Sequence, residues 1–374
     1  MNKKAVFITA TNILDSYGNG GVKASQEHLK LLQQCLGKEN VHICMFLDET
    51  RTISDNKIKI LKKINSKIGQ LIAALCGCKI YYPWKEKEVI VYIDEIAPDI
   101  VFIDFSTLGR LVRVVKKYKT IVFFHNIESD YALNKVKHEG LQYLPSYWAS
   151  KKNDEYAVQA DKVICLNKRD ADRMYELYKK KPDMILPITF NDHFDEGKTT
   201  FDYKREILFL GSLFAPNQYA IEWFMENVMS KLNDITLNIV GKDFEKKRDE
   251  YKKYENVNVI GTVEELEQYY YRHAVVVMPI FFGAGMKVKT AEAMMYGRII
   301  LASDEALEGY DVENVKGIYR CNTAEEYIFW IEKIFKEDKI ERFQNDVRMC
   351  FWEKYETDKQ IQRLKLLIEE LTYS

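Results

Sequence analysis

Strand-like and helix-like runs alternate along almost the whole chain of 374 residues. In the first half, apolar runs predict strands near 4–10, 41–47, 99–104, 120–125, 162–166 and 183–187. Between them, helical periodicity predicts helices near 22–36, 57–75, 87–96, 107–118, 149–160 and 168–179. Such alternation indicates a parallel sheet that is covered by helices.

A second alternating set follows a stretch without periodicity at 188–205, which we interpret as a linker. Its predicted strands lie near 206–211, 236–240, 257–260, 275–278 and 299–302, and its predicted helices near 217–231, 263–272, 287–296 and 323–335. The sequence therefore predicts two doubly wound α/β domains, at 1–190 and 205–344, followed by a helical tail.

The stretch from Met278 to Gly297 combines an apolar strand, a glycine turn and a short helix. The helix is expected to begin just after the turn Gly283-Ala284-Gly285, yet no Ser, Thr, Asp or Asn stands there to cap it. Lys287 and Lys289 add positive charge where the helix dipole is already positive. A phosphate that accepts N–H bonds and pairs with a lysine would suit this helix start.

Glu292 follows Gly285 by seven residues. That spacing is about two turns at ~3.6 residues per turn, so Glu292 is expected on the same side of the helix. Its carboxylate could accept hydrogen bonds from ribose hydroxyls. A phosphate site beside a ribose site predicts a nucleotide.

Four further motifs occur in the chain: Gly20-Gly21, His125-Asn126-Ile127-Glu128, Phe209-Leu210-Gly211-Ser212 with Pro216-Asn217, and Ile239-Val240-Gly241-Lys242. Together with the stretch at 278–297, they resemble the retaining glycosyltransferases of family 4, also described as group 1, which have the GT-B fold. The resemblance covers nearly the whole chain. It departs at Ala284, where much of the family has the first of two glutamates, and this concerns how the donor sugar is held.

The resemblance implies two Rossmann-like domains that face each other across a cleft, with a C-terminal helix from about 345 to 374 crossing back to the N-terminal domain. It also implies retaining transfer of a sugar from a nucleoside-diphosphate sugar to an acceptor hydroxyl, as in hexosyltransferases. The N-terminal domain would bind a glycan, lipid-linked or protein acceptor, and the C-terminal domain the donor. The tyrosine- and lysine-rich composition fits bacterial surface-polysaccharide or glycoconjugate assembly.

Site residues follow from the same resemblance. Catalytic roles are implied for His125 and Lys287, with Lys287 stabilising the departing diphosphate. Asn19 and Glu128 are candidate acceptor contacts, and Glu128 could instead orient His125. The donor-binding residues would be Gly20, Gly21, Gly211, Gly241, Gly283, Ala284, Gly285, Met286, Lys287 and Glu292. No cofactor and no metal are expected.

Some of these residues also have plainer interpretations. Gly20-Gly21 could form an ordinary tight turn, and Asn217 is interpreted as a helix N-cap. Lys289 could equally face solvent, and Lys242 is more often simply solvated. Asp170 and Asp172 have the spacing of a metal-binding pair, but they lie early in a predicted helix, where acidic residues suit the dipole.

Charge divides unevenly along the chain. Residues 1–190 contain 30 Lys and Arg against 22 Asp and Glu, a net +8, and residues 191–374 contain 25 against 34, a net −9. The first half could bind an anionic partner such as a phosphorylated lipid carrier or a membrane surface, or the two halves could neutralise each other. Asn56–Leu75 is predicted as a basic amphipathic helix, which could contact anionic lipid or pack into the core.

Cysteine usage and hydropathy suggest a compartment. The seven cysteines are scattered and odd in number, and the sequence predicts neither a signal peptide nor an apolar run of ~18 residues. We therefore expect a cytoplasmic location, with membrane association as an option.

Two other functions stay open. One is a catalytically silent GT-B subunit that stabilises a partner glycosyltransferase, and the other is a sugar-nucleotide 2-epimerase with the same fold. The sequence contains neither a Gly-x-Ser-x-Gly elbow nor a phosphate-binding P-loop, which argues against a serine hydrolase and a P-loop ATPase.

Overall fold

The computed structural model describes residues 3–15, 20–49, 55–200, 203–282, 286–336 and 340–373. Its internal contacts divide the chain into two compact units. Unit 1 comprises Met1–Thr189 and Gln360–Ser374, and unit 2 comprises Phe190–Lys359. The division falls inside the predicted linker.

Unit 1 contains a seven-stranded parallel sheet in the order β3-β2-β1-β4-β5-β6-β7. The strands are β1 (Ala5–Thr9), β2 (Val41–Leu47), β3 (Ile58–Lys62), β4 (Ile100–Ile103), β5 (Lys119–Phe124), β6 (Lys162–Cys165) and β7 (Met184–Ile185). The strand order reverses between β1 and β4. Ligands of open α/β sheets bind beyond the carboxyl ends of the strands at such a switch point.

Helices cover both faces of this sheet. They are α1 (Gly20–Leu36), α2 (Lys67–Leu75), α3 (Lys85–Ile96), α4 (Leu111–Val114), α5 (Glu128–Glu139), α6 (Leu144–Ala157) and α7 (Lys168–Tyr178). Successive strand residues alternate between two hydrophobic clusters, as Val122 and Phe124 belong to one and Ile121 and Phe123 to the other. Burial on both faces explains why the strands are continuously apolar.

Unit 2 repeats the arrangement with a six-stranded parallel sheet in the order β10-β9-β8-β11-β12-β13. The strands are β8 (Glu206–Leu210), β9 (Thr236–Val240), β10 (Val257–Gly261), β11 (Val275–Met278), β12 (Ile299–Ala302) and β13 (Ile318–Arg320). The switch point lies between β8 and β11. The predicted fold class, two doubly wound Rossmann-like α/β domains, is confirmed.

The helices of unit 2 are α8 (Ala215–Asn227), α9 (Arg248–Tyr251), α10 (Glu267–Arg272), α11 (Val288–Met295), α12 (Ala324–Lys336) and α13 (Asn345–Lys354). The last helix, α14 (Thr357–Tyr373), begins in unit 2 and continues into unit 1. Among the residues that the structure describes, none of the helices has both the length and the apolar character of a membrane span.

The C-terminal crossing differs from its predicted start at about 345. Helix α13 belongs to unit 2, because Val347 and Phe351 are buried in its hydrophobic cluster. Only from Gln360 does the chain belong to unit 1, where Leu364 and Ile368 of α14 are buried.

The predicted helix at Asn56–Leu75 is wrong over its first part. Ile58 and Ile60 alternate with lysines and pair with Ile43 and Met45 of β2, so this segment forms the edge strand β3. Helix α2 starts only after Ser66, whose hydroxyl accepts a hydrogen bond from the Gly69 N–H. Helices α5 and α9 and strand β13 were not predicted.

Candidate functional site

A cavity of about 530 Å³ lies beside the switch point of unit 2. The residues after β8 and β9 and the first turns of α11 form much of its wall. Four residues that the sequence singled out line it together: Gly211, Gly241, Lys287 and Glu292. Apolar side chains complete the lining, among them Val263, Leu266, Ile280 and Phe282.

The two strand-end glycines are held in close contact by the protein itself. Gly241 has a φ of 148°, and a Cβ there would overlap the carbonyl oxygen of Gly211. A Cβ on Gly211 would lie 2.5 Å from Nδ2 of Asn217 and 3.1 Å from Nζ of Lys289. Neither position has room for a side chain, so bare backbone faces the cavity at both strand ends.

Lys287 is the N-cap residue of α11, which begins at Val288, one residue after the predicted start at 287. Within the described residues, no side chain caps this helix, as expected. The Lys287 Nζ lies 2.7 Å from Oε1 of Glu305 and 3.8 Å from Oε2 of Glu308. The lysine that was predicted to bind a diphosphate is therefore held by two carboxylates in this state.

Lys289 is half-buried and lines the same cavity. Its Nζ donates a 2.8 Å hydrogen bond to Oδ1 of Asn217 and lies 4.9 Å from the centre of the Phe209 ring. Burial, reinforced by the neighbouring charge of Lys287, lowers the pKa of Lys289 to about 7. An anion in the cavity would favour the protonated form of Lys289 and raise its pKa again.

Asn217 is not the N-cap of α8. Phe214 occupies that position, and Asn217 is the third helical residue, almost fully buried. Its Nδ2 donates to the carbonyl oxygen of Ser212 at 2.8 Å, which leaves Oδ1 to accept from Lys289. The amide therefore fixes the position of the lysine.

Glu292 lies three residues after Lys289 on α11 and lines the same cavity. Its Oε2 accepts a 2.9 Å hydrogen bond from the hydroxyl of buried Tyr270. Burial raises the pKa of the Glu292 carboxyl. A carboxylate anchored in this way offers fixed acceptor positions to a pair of hydroxyls.

The other predicted donor-binding residues do not line this cavity within the described part of the chain. Gly283, Ala284 and Gly285 lie outside the described residues, as does Asn19. Met286 packs against Gly309, where a Cβ would lie 2.6 Å from its Cγ. Gly20 and Gly21 are the first two residues of α1, in unit 1.

Unit 1 has a buried polar cluster at its own switch point. Asp104 directly follows β4, and its Oδ1 lies 2.7 Å from Nδ1 of His28 and 3.2 Å from Nε2 of His125. Its Oδ2 accepts a hydrogen bond from the Thr9 hydroxyl at 3.2 Å. The His125 ring also stacks on Phe105, with 4.0 Å between ring centres. We call His28, Asp104 and His125 the Asp104 cluster.

The charges of this cluster follow from its burial and its partners. Burial alone would raise the pKa of Asp104, but the two imidazoles beside it hold that pKa well below its usual range. Burial lowers the pKa of His28 despite the nearby carboxylate. Because an ionised carboxylate only accepts hydrogen bonds, each imidazole donates one N–H to it. This leaves Nδ1 of His125 as its second ring nitrogen for a ligand.

The ligand atoms of the Asp104 cluster lie within 4.8 Å of one another, a spacing that a cation could use. The carboxylate, however, already accepts hydrogen bonds from both rings, so a metal would have to displace both N–H protons and would find three ligands rather than four. The residues fit hydrogen bonding better than metal binding, and the expected absence of a metal stays a prediction.

Glu128 does not orient His125. Its Oε2 accepts from Nζ of Lys79 and its Oε1 from Nδ2 of Asn126, both at 2.7 Å. Asp104 has the orienting position instead. Sequence reasoning missed Asp104 although a signal existed, because it ends the predicted strand beside the one that carries His125, and the carboxyl ends of parallel strands meet at one edge.

Comparisons with known proteins agree with this geometry. A model of the family described as "Glycosyl transferases group 1" matches residues 204–334, which contain the cavity of unit 2. No curated protein matches the sequence significantly.

Solved structures resemble the chain over nearly its full length. A glycosyltransferase from Rickettsia africae has a TM-score of 0.62 at 14% identity and covers 99% of both chains. Anabaena HepE in complex with UDP has a TM-score of 0.60 at 12% identity, covering 98% of this chain and 100% of the other. A sucrose-phosphate synthase from Thermosynechococcus elongatus has a TM-score of 0.57 at 14% identity and covers 99% of both.

The fold of the chain is therefore that of the GT-B glycosyltransferases. Residues 204–334 match the model of the group 1 glycosyltransferases, and this match supports the predicted enzyme class of glycosyltransferase.

Proposed function

We propose that this protein moves a hexose-type sugar from a nucleoside-diphosphate sugar to an acceptor hydroxyl, with retention of configuration at the transferred carbon. The observation that carries the proposal is the convergence of Lys287, Lys289 and Glu292 from the first turns of α11 on one cavity. Two cations and a helix start without a side-chain cap suit a diphosphate, and a half-buried carboxylate suits ribose hydroxyls.

The roles in this proposal follow the geometry of unit 2. The diphosphate binds Lys287 and Lys289, displacing Glu305 from Lys287, and the bare backbone at Gly211 and Gly241 allows its close approach. The base packs against the apolar wall formed by Val263 and Leu266. The turn Gly283-Ala284-Gly285 and Met286 border the transferred sugar, as the family resemblance implies.

Catalysis in this proposal is electrostatic. As the bond between sugar and phosphate breaks, negative charge builds on the diphosphate, and the two lysines stabilise that charge without a metal. The leaving phosphate accepts the proton of the acceptor hydroxyl, so no protein nucleophile is needed. His125, held by Asp104, contacts the sugar or the acceptor, with Gly20, Gly21, Asn19 and Glu128 as further candidate contacts.

The comparisons supply a first choice of donor. HepE was solved with UDP and with UDP-glucose, and other similar structures include TarM, at a TM-score of 0.57 and 11% identity. We therefore expect UDP-hexoses to be the first donors to test. Bacterial polysaccharide or glycoconjugate assembly in the cytoplasm stays a prediction, as does contact with an anionic membrane.

The test is calorimetric binding of UDP, GDP, ADP and dTDP, followed by transfer assays with the matching sugars. We expect one nucleotide to bind and Lys287→Ala to weaken it by roughly a hundredfold, as charge-assisted bonds to a diphosphate contribute about 1.5–3 kcal/mol each. Lys252→Ala, at an exposed lysine of unit 2, is the matched control.

Binding without transfer or donor hydrolysis would favour the silent-subunit alternative. Release of a 2-epimer from the donor would favour the epimerase. Failure of all four nucleotides to bind would refute the proposed cavity function. The configuration of the product, read by NMR, tests retention separately.

A further inference from the structure

Helix α2 in unit 1 has its small residues inside and its large apolar residues outside. Ala73 is fully buried in a hydrophobic cluster, and a Cβ on Gly69 would overlap the Tyr82 hydroxyl. On the outer side, four large aliphatic residues follow the spacing of one helical face: Ile68, Leu71, Ile72 and Leu75. We call these four residues the α2 face.

The α2 face is strongly exposed, at 74% for Ile68 and 78% for Leu75. Unit 1 exposes further large apolar residues near this part of the chain. Leu141 and Trp148 flank a stretch that packs beside α2, and Trp84 stacks on Tyr82 with 4.3 Å between ring centres. Four large aliphatic residues exposed on one helical face mark a candidate interaction site.

A cavity of about 470 Å³ opens beneath this surface. Leu71 and Ala74 of α2 form one wall, and Tyr143, Pro145 and Ala149 form the opposite wall. Leu71 therefore belongs both to the exposed face and to the cavity lining. Gln70, Lys79, Gln142 and Ser146 also line the cavity, so an apolar chain that entered from the α2 face would contact the apolar walls and leave the polar groups for a headgroup.

Charge identifies the partner that fits this surface. Residues 56–85 contain seven lysines and neither Asp nor Glu, and of these Lys79 and Lys85 are paired with Glu128 and Glu88. Lys59 and Lys62 are exposed on β3, the edge strand that precedes α2. Exposed aliphatic residues, tryptophans and lysines together are the chemistry by which a peripheral protein binds the interface of an anionic bilayer.

We propose that the α2 face docks on an anionic lipid surface and that the cavity beneath it receives a hydrocarbon chain from that surface. The docking needs neither nucleotide nor sugar transfer, so it stands or falls separately from the proposed activity.

The first test is co-sedimentation of the full chain with vesicles of phosphatidylcholine, either pure or containing one third phosphatidylglycerol. We expect the anionic vesicles to bind at least roughly tenfold more tightly, because each lysine near the surface contributes to the attraction. The double variant Leu71→Ser/Leu75→Ser removes two exposed side chains and is expected to lose roughly tenfold or more of this binding. Leu366→Ser, at an exposed leucine of α14 in the same unit, should bind like the wild type.

A second pair of variants separates charge from apolar contact. Lys59→Gln/Lys62→Gln is expected to reduce binding to anionic vesicles by several-fold. Lys246→Gln/Lys252→Gln removes the same charge from exposed positions of unit 2 and should leave binding unchanged. Equal binding to both kinds of vesicle, or equal loss in both lysine variants, would overturn the assignment to an anionic surface.

The cavity is tested by a soluble short-chain phosphatidylglycerol, monitored by native mass spectrometry. Ala74→Trp fills the cavity from α2 and is expected to abolish binding of a single lipid while vesicle docking persists. If Ala74→Trp still binds the lipid, the cavity part of the proposal is wrong. If the wild type is instead a dimer by light scattering and Leu71→Ser/Leu75→Ser makes it a monomer, the α2 face is an interface between two copies.

Discussion

The carboxyl edges of the two sheets differ in a way that their net charges do not reveal. The basic first half of the chain has a buried carboxylate at its switch point, and the acidic second half has a cavity with two lysines. At the first edge, hydrogen bonds within the Asp104 cluster hold the polar groups. At the second edge, glycine backbone and a helix start without a side-chain cap surround open space. Local arrangement, rather than overall charge, decides what each edge can bind.

This contrast predicts that Asp104→Asn damages unit 1 and leaves unit 2 intact. The amide removes the charge from the oxygen that both imidazoles contact, and its nitrogen takes the place of Oδ2, which accepts from the Thr9 hydroxyl. We expect unit 1 to lose about 2–3 kcal/mol of stability, because two hydrogen bonds to a buried charged acceptor become bonds to a neutral one. Hydrogen–deuterium exchange of the peptides around β4 and β5 measures the loss, and UDP affinity should not change.

The matched control is Asp94→Asn, at an exposed carboxylate that contacts Lys117 and Tyr118. Surface changes of this kind are usually within about 0.5 kcal/mol. If the amides around β4 and β5 were equally protected from exchange in the two variants, the Asp104 cluster would not be needed to stabilise the carboxyl edge of the unit 1 sheet.

Gly241→Ala is expected to damage unit 2 and to leave unit 1 intact. The new methyl group would overlap the Gly211 carbonyl oxygen, and the positive φ disfavours any side chain. We expect unit 2 to lose about 2–3 kcal/mol, as for other overpacked sites, together with nucleotide binding. Hydrogen–deuterium exchange of the β8 and β9 peptides measures this loss of stability.

Gly197→Ala serves as the control, because the nearest atom to its Cβ is a side-chain oxygen of Asp195 at 3.2 Å. An intact β8–β9 edge in Gly241→Ala would show that the close approach of the two glycines is not needed.

The sequence predicted the fold well, because continuous apolar strands and amphipathic helices carry their own periodicity. It failed at 57–62, where lysines alternating with isoleucines can be read with either period. The segment forms a strand because it pairs with β2, and this pairing is not visible in the local sequence. A period of two over five residues is a weak signal beside a longer helical pattern.

Sequence reasoning grouped residues that one segment carries, and it missed contacts between distant segments. Lys287 and Glu292 lie on one helix and were found together. Lys289 was left undecided because its partner Asn217 is 72 positions away. His28 and Asp104 are 76 positions apart, and no local spacing announces their contact.

The lysine pair in unit 2 makes nucleotide binding depend on pH. Without a ligand in the cavity, the pKa of Lys289 is about 7. We expect the negative charge of a bound diphosphate to raise that pKa. Above pH 7, binding must therefore take up a proton, so affinity falls as pH rises, by about fivefold between pH 7 and pH 8. Calorimetry in buffers of different ionisation enthalpy measures the proton uptake directly.

Lys289→Met keeps the apolar stem but cannot take up this proton, so its weaker binding should not change over the same pH range. Lys242→Met, at an exposed lysine that lines the cavity, should keep the wild-type slope. A slope that persists in Lys289→Met would assign the proton to another group.

The smallest effect is expected where a hydrogen bond only supports a binding group. Tyr270→Phe removes the hydroxyl that anchors Oε2 of Glu292 and leaves the carboxylate in place. We expect UDP affinity to fall by about twofold to threefold, since one such bond contributes about 0.5–1.5 kcal/mol net. Glu292 is proposed to accept hydrogen bonds from ribose hydroxyls. The affinity for UDP should therefore fall more than the affinity for 2′-deoxy-UDP, and the preference of the protein for UDP should become smaller. Tyr219→Phe, at an exposed tyrosine of α8, should leave that preference unchanged. Equal losses of affinity for both nucleotides would show that Glu292 does not contact the ribose hydroxyls and that the ribose binds elsewhere in the cavity.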